Sequence, residues 1–210
     1  MPRDFIFALT IPYLFTYLFM KITKLAFMLL LCQAVAGQTL LVNTADKETG
    51  ARTLITNNYK GAEITPDDSV ARDGLVFFSA GYQETKAGSA MGQLYFIELN
   101  VVHKDNRLGC LEDGKSKVAF IFEDGSRIEC IQISETNCDP VGFVAGFALM
   151  PKGGTLDTMK QNFSKLRVAE VARIEVFTSE KTMVYHIKSK AAVSIKSHFN
   201  LLNKTINPLH

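Results

Sequence analysis

Four cysteines, four histidines and three acidic pairs are where this sequence could do chemistry. His103, His186, His198 and His210 stand apart, and none belongs to a His-Glu-x-x-His helix or flanks a Gly-x-Ser-x-Gly turn. Zinc needs thiolates and imidazoles at paired spacing, and no histidine lies two to five residues from a cysteine. The acidic pairs are Asp67-Asp68, Glu112-Asp113 and Glu123-Asp124. They could serve a hydrolase, which uses two carboxylates about 5–9 Å apart, or bind calcium through several oxygens. Each pair stands next to Pro66, Gly114 or Gly125, which is the chemistry of chain reversal. None has the alternating register of a calcium loop. Lys152-Gly153-Gly154-Thr155 lacks the upstream glycine of a phosphate loop. No catalytic residue, cofactor site or metal site is assigned, and the chain leans away from being an enzyme.

The cysteines take their meaning from the amino terminus. From Met20 the chain runs through Lys21 and Lys24, an apolar stretch Leu25 to Leu31, and Ala34-Val35-Ala36. A positive region, an apolar region and a small-x-small site in that order form a secretory signal. Cleavage near Gly37 leaves a chain starting at Gln38. Translation is expected to begin at Met20, with the preceding residues a mistaken upstream start. The alternative is a membrane anchor over residues 5–31, which would place Lys21 and Lys24 in the bilayer at about 2.5–3.5 kcal/mol each. Export to an oxidising compartment makes Cys110 and Cys138, both in loop-like surroundings, the candidate disulfide pair. Such a bond would contribute about 3–4 kcal/mol on the chain-entropy estimate. Cys130 is then the spare, a small apolar residue in a strand.

The elements that position these residues read mostly as strands. Leu75 to Tyr82 and Leu94 to His103 are rich in aromatic and β-branched residues. Val118 to Phe122 and Arg127 to Ile133 flank Asp124-Gly125, a strong hairpin signal because glycine takes positive φ without strain. Gly142 to Met150 predicts a further strand, and Val171 to Phe177 with Met183 to Ile187 a second hairpin. Thr155 is placed as the N-cap of a short helix over 155–166. Ala192, Ile195, Phe199 and Leu202 recur at steps of three and four, predicting an amphipathic helix over 190–204 with His198 on its polar shoulder. The fold class is mainly β: an antiparallel sandwich or curled sheet of about seven strands with these two helices. Residues 1–37 are the signal, 38–52 an extended leader, and 53–210 a single β-rich domain.

Charge limits the partners. The chain holds 23 Lys and Arg against 21 Asp and Glu, and removing residues 1–37 leaves 20 of each. A net charge of zero argues against nucleic acid as the main partner, because phosphate binding needs a clustered positive excess. Membrane contact is expected only through an uncleaved amino terminus.

The signal ending in Ala36-Gly37-Gln38, the stretch Gly109 to Gly114, the Phe122 to Ser126 hairpin and Asn137-Cys138-Asp139 resemble small exported β-rich proteins of unassigned function from Bacteroidota-like bacteria. The resemblance implies location and no activity. The expectation is a secreted or periplasmic, non-catalytic binding or structural domain that meets a protein or glycan at the cell envelope. The alternative is an exported hydrolase using its loop carboxylates.

Overall fold

Eleven strands and two helices follow one another among the described residues: β1 (Leu40–Ala45), β2 (Arg52–Thr56), β3 (Tyr59–Lys60), β4 (Ile64–Pro66), β5 (Leu75–Ala87), β6 (Ala90–Val102), β7 (Lys117–Phe122), β8 (Arg127–Gln132), β9 (Gly142–Ala148), α1 (Leu156–Val168), β10 (Val171–Phe177), β11 (Thr182–Ile187) and α2 (Ser189–Ile206). The computed structural model describes residues 39–207 except 47, 58, 61–63, 67–74, 88–89 and 104–105. The expected signal over residues 1–37, the pair Asp67-Asp68 and His210 therefore lie outside the described residues.

Every strand joins one antiparallel sheet in the order β1-β2-β5-β6-β9-β8-β7-β10-β11-β4, with β3 on β5. Residues 59–60 thus pair with β5, while 64–66 pair with β11 near the far end of the sheet. A flat sheet of this width could not be spanned by so short a segment, so the sheet curls, as right-handed strand twist favours. β5 and β6 pair from Leu75↔Val102 to Ala87↔Ala90 and form its longest ladder.

Side chains alternate between the two faces of each strand. On the inner face Phe78, Ala80 and Tyr82 of β5 stand opposite Leu99, Ile97 and Tyr95 of β6, all buried. Val118 and Phe120 of β7 face Cys130 and Ile128 of β8 in the same way. The helices fill the concave side. Thr155 caps α1 by accepting the Thr158 N–H at 3.3 Å, and Met159, Phe163 and Leu166 turn inward. α2 buries Ala191, Ala192, Ile195, His198, Phe199 and Leu202, and Arg52 donates to the Thr205 carbonyl at its C-terminal end, 3.1 Å away. Phe78 meets Phe120 and Phe199 edge-on, with ring centroids 6.2 and 5.8 Å apart. Among the described residues no helix is long and apolar enough to cross a membrane.

Three sequence expectations change. The strand count is eleven, not about seven, because β1 to β4 have only two to six residues each, and β2, β3 and β4 are held by β5 or β11, distant in sequence. Residues 38–52, read as an extended leader, contain β1, which is extended but paired with β2 from Leu40↔Thr56 to Ala45↔Arg52. His198 leaves the polar shoulder for the core and is fully buried. The buried stripe of α2 is wider than its apolar letters suggest, because α2 packs against β2, β5, β10 and α1.

Candidate functional site

The disulfide joins Cys110 to Cys138, with Cα atoms 4.3 Å apart, and Cys130 stays free and buried. Around it two loops are laced together. Leu111 and Asn137 exchange backbone hydrogen bonds, both 2.8 Å. Ser179 donates its N–H to the Cys110 carbonyl at 2.8 Å and accepts the Cys110 N–H on Oγ at 2.9 Å. Buried Gln132 holds the junction, its Nε2 within 3.2 Å of the Leu111 carbonyl and 3.1 Å of the Glu135 carbonyl. No sequence motif marked Gln132, since its importance comes from carbonyls brought by other loops. Burial pushes the Cys130 thiol pKa far up, so it is no nucleophile.

The described acidic pairs are not brought together. Glu112-Asp113 precedes β7 and Glu123-Asp124 follows it, so the strand separates them by roughly 15–20 Å at the usual rise per residue. That exceeds the spacing of a hydrolytic carboxylate pair. Asp124 instead accepts the Ser126 N–H at 2.9 Å and closes its turn, and the Ser126 hydrogen bonds hold its carboxyl below the usual range. Among the described residues no group of three or more His, Cys, Asp or Glu could hold a metal ion.

His103 and His198 are buried, and His186 is exposed on β11. The His198 Nδ1 lies 2.6 Å from Thr56 Oγ1. Thr56 also accepts the Ala80 N–H at 2.9 Å and donates to the Ala80 carbonyl at 3.3 Å. A hydroxyl has one proton to give and two lone pairs to fill, so this set is complete when Nδ1 carries the proton. Burial against Phe78 lowers the His198 pKa to about 4, which keeps the ring neutral near pH 7. The ring fills the core with one satisfied nitrogen, Nδ1, while its buried Nε2 has no hydrogen-bond partner among the described residues.

The outer face of the sheet carries the features suited to binding. On β8, β7 and β10 it is a lattice of matched charges. Glu129 lies 3.1 Å from Lys117 and 2.6 Å from Arg127. Glu175 lies 3.3 Å from Arg127 and 2.9 Å from Arg173. Burial works to raise the Glu129 pKa, but Lys117 and Arg127 outweigh it and the carboxyl ends below its usual range. A cleft of about 440 Å³ opens beside this lattice, between Lys115, Lys117, Ile131 and Lys152. Lys115 is matched by Glu112 at 3.4 Å and Lys117 by Glu129.

The outer face of β5, β6 and β9 is different. There Gln83 pairs with Leu94, Gly81 with Phe96, and Ser79 with Glu98. β9 continues two of these rows with Ala148 beside Phe96 and Gly146 beside Glu98. A groove of about 290 Å³ runs over this surface, lined by Leu94, Phe96 and Glu98 on one side and by Ile133, Ser134 and Val144 on the other. Gly146 leaves its floor open, and the Gly146 N–H donates to Ser134 Oγ at 3.1 Å. Val144 and Ile133 are 61% and 42% exposed, large for aliphatic residues on a folded surface.

Glu98 is the anomaly in this groove. Its carboxyl is half buried, burial alone raises its pKa, and among the described residues it has no hydrogen-bond or ion-pair partner. A charge in apolar surroundings is costly unless it is paired. Glu129 and Glu175, on the same sheet face, are each met by two cations. No motif marked Glu98, because it sits singly in a strand. Compared with known protein families, curated proteins and solved structures, the chain matches none.

Proposed function

We propose that this chain is an exported, non-catalytic binding domain of the cell envelope, and that the groove around Glu98 receives its ligand. The observation that carries the reading is a half-buried carboxylate without a partner among the described residues, set beside the Phe96 ring and exposed Val144 and Ile133. Such a surface costs free energy in the free protein, and a ligand covering it recovers that cost. Export is supported by the Lys21 to Ala36 segment and by the disulfide, which persists in oxidising compartments. It agrees with the resemblance to small exported β-rich proteins. The zero net charge of residues 38–210 turns the search for partners toward a protein or glycan and away from nucleic acid.

Two measurements test this reading. Intact mass of the protein from its host should map the amino terminus near Gln38, and a mass retaining residues 1–37 would overturn export. Nile red, a neutral apolar dye, should brighten on the protein and lose that response in Val144→Arg, which fills the groove from an exposed position. A response equal in both proteins would remove the groove as the binding site.

A further inference from the structure

The ligand chemistry of this groove follows from its two parts. A carboxylate calls for a cation or a strong donor. Most of the wall calls for apolar surface, because Leu94, Phe96, Val144 and Ile133 offer almost nothing to hydrogen-bond and Gln83 and Ser134 are its polar exceptions. A small hydrated cation would satisfy Glu98 but leave the walls wet. A purely apolar ligand would cover the walls but leave the carboxylate unpaired, so it would bind more weakly than one that also brings a cation. Lysine and arginine side chains join the two requirements, since their methylene stems lie along apolar surface while the head reaches a charge. The face of an aromatic ring such as Phe96 also attracts a cation.

We infer that the groove receives a lysine or arginine side chain carried on an apolar, extended segment of a partner protein. This rests on the groove being the binding site. The choice of a protein segment over a free amine comes from the exposed rims. Val144 and Ile133 remain 61% and 42% exposed, and apolar neighbours on either side of the basic residue would cover them. Charge complementarity also separates this groove from the rest of the outer face. Glu129 and Glu175 already have their cations, so an incoming basic side chain has Glu98 as its open acceptor among the carboxylates of that described face. The Lys115–Lys117–Lys152 cleft also contains Glu129, but that carboxylate is already paired with Lys117 and Arg127, so the lysines disfavour the same ligand there.

The test uses the full chain and three capped, fluorescent peptides read by anisotropy at low salt. One is Leu-Val-Arg-Val-Leu, the second has citrulline in place of arginine, and the third has glutamate. Citrulline keeps the shape of arginine, removes the charge and carries a carbonyl oxygen in place of one terminal nitrogen. The arginine peptide should bind about tenfold more tightly than the citrulline peptide, as a charge-assisted pair allows, and the glutamate peptide should bind weakest. The arginine preference should fall toward onefold in Glu98→Gln, and in the native protein as pH drops through the Glu98 carboxyl. The pH arm keeps the test alive should Glu98→Gln fold poorly. Val144→Arg should bind none of the peptides. Equal binding of arginine and citrulline peptides that is lost in Val144→Arg would overturn the cation while sparing the groove. Peptide binding unchanged in Val144→Arg would overturn the groove itself. Free arginine amide binding as tightly as the peptide would overturn the protein segment as its carrier.

Discussion

The tip of the Phe96 ring fills the space that a β-carbon on Gly81, its cross-strand partner, would need. The glycine is therefore not there for a turn. It lets an aromatic side chain lie across the sheet and wall the groove, and Phe96 is 9% exposed as a result. Gly81→Ala should force the ring aside and destabilise the fold by about 1–3 kcal/mol, the usual cost of overpacking. Urea unfolding measures this. A change below about 0.5 kcal/mol would mean that the ring moves freely and does not define the groove.

Glu98→Gln should be stabilising at neutral pH. The folded-state pKa of Glu98 is raised by burial, so the folded chain holds this proton more tightly than the unfolded chain does. The cost of ionising it is absent below the ordinary carboxylate range and complete above the raised value. Thermal unfolding should thus show a higher midpoint for Glu98→Gln at pH 7 and no difference near pH 3. The group is half exposed, so solvent screening keeps the gain under about 1 kcal/mol. A lower midpoint at pH 7 would reveal a partner for the carboxylate.

His198 should make the fold sensitive to mild acid. Its folded pKa of about 4 lies below the usual 6.5, so the unfolded chain takes up a proton that the folded chain refuses. Stability is complete above pH 6.5 and is lost progressively as pH falls toward 4, by about 3 kcal/mol in all. His198→Asn should be less stable at pH 7, where the Thr56 contact is altered, yet flatter with pH across that window. Denaturant midpoints at pH 7, 6, 5 and 4 separate the two. Parallel profiles for both proteins would place the acid sensitivity elsewhere.

Reduction should loosen the lacing of loops around Gln132. The Cys110–Cys138 bond joins residues 28 apart and is worth about 3–4 kcal/mol on the chain-entropy estimate. The double variant Cys110→Ser with Cys138→Ser should lose about that much, and peptide mapping should find Cys130 unalkylated until the protein is unfolded. Alkylation of native Cys130 at the rate of a free thiol would contradict its burial.

Local signals in the chain were enough for much of the sheet. Asp124-Gly125 specifies the β7–β8 hairpin because positive φ at Gly125, 76°, is a property of one residue. Apolar steps of three and four specified α1 and α2, and Thr155 announced its own cap. Loop surroundings pointed to Cys110 and Cys138. These features depend on neighbours in sequence, so sequence carries them.

Tertiary structure alone decided the remainder. β3 and β4 together contain only five residues, too few to show a period, and they are strands because β5 and β11 offer unpaired backbone to them. His198 is buried because Thr56, 142 residues away, supplies its hydrogen-bond partner and Phe78 its neighbour. Glu98 and Glu129 are the same residue type at outer positions of β6 and β8, two strands of one curled sheet with β9 between them. One is paired and the other is not, because pairing depends on what the neighbouring strands present. β7 and β8 set Lys117 and Arg127 beside Glu129, while β5 and β9 set Ser79 and Gly146 beside Glu98. Whether a carboxylate is satisfied is a property of register across strands, and register is set when the sheet assembles.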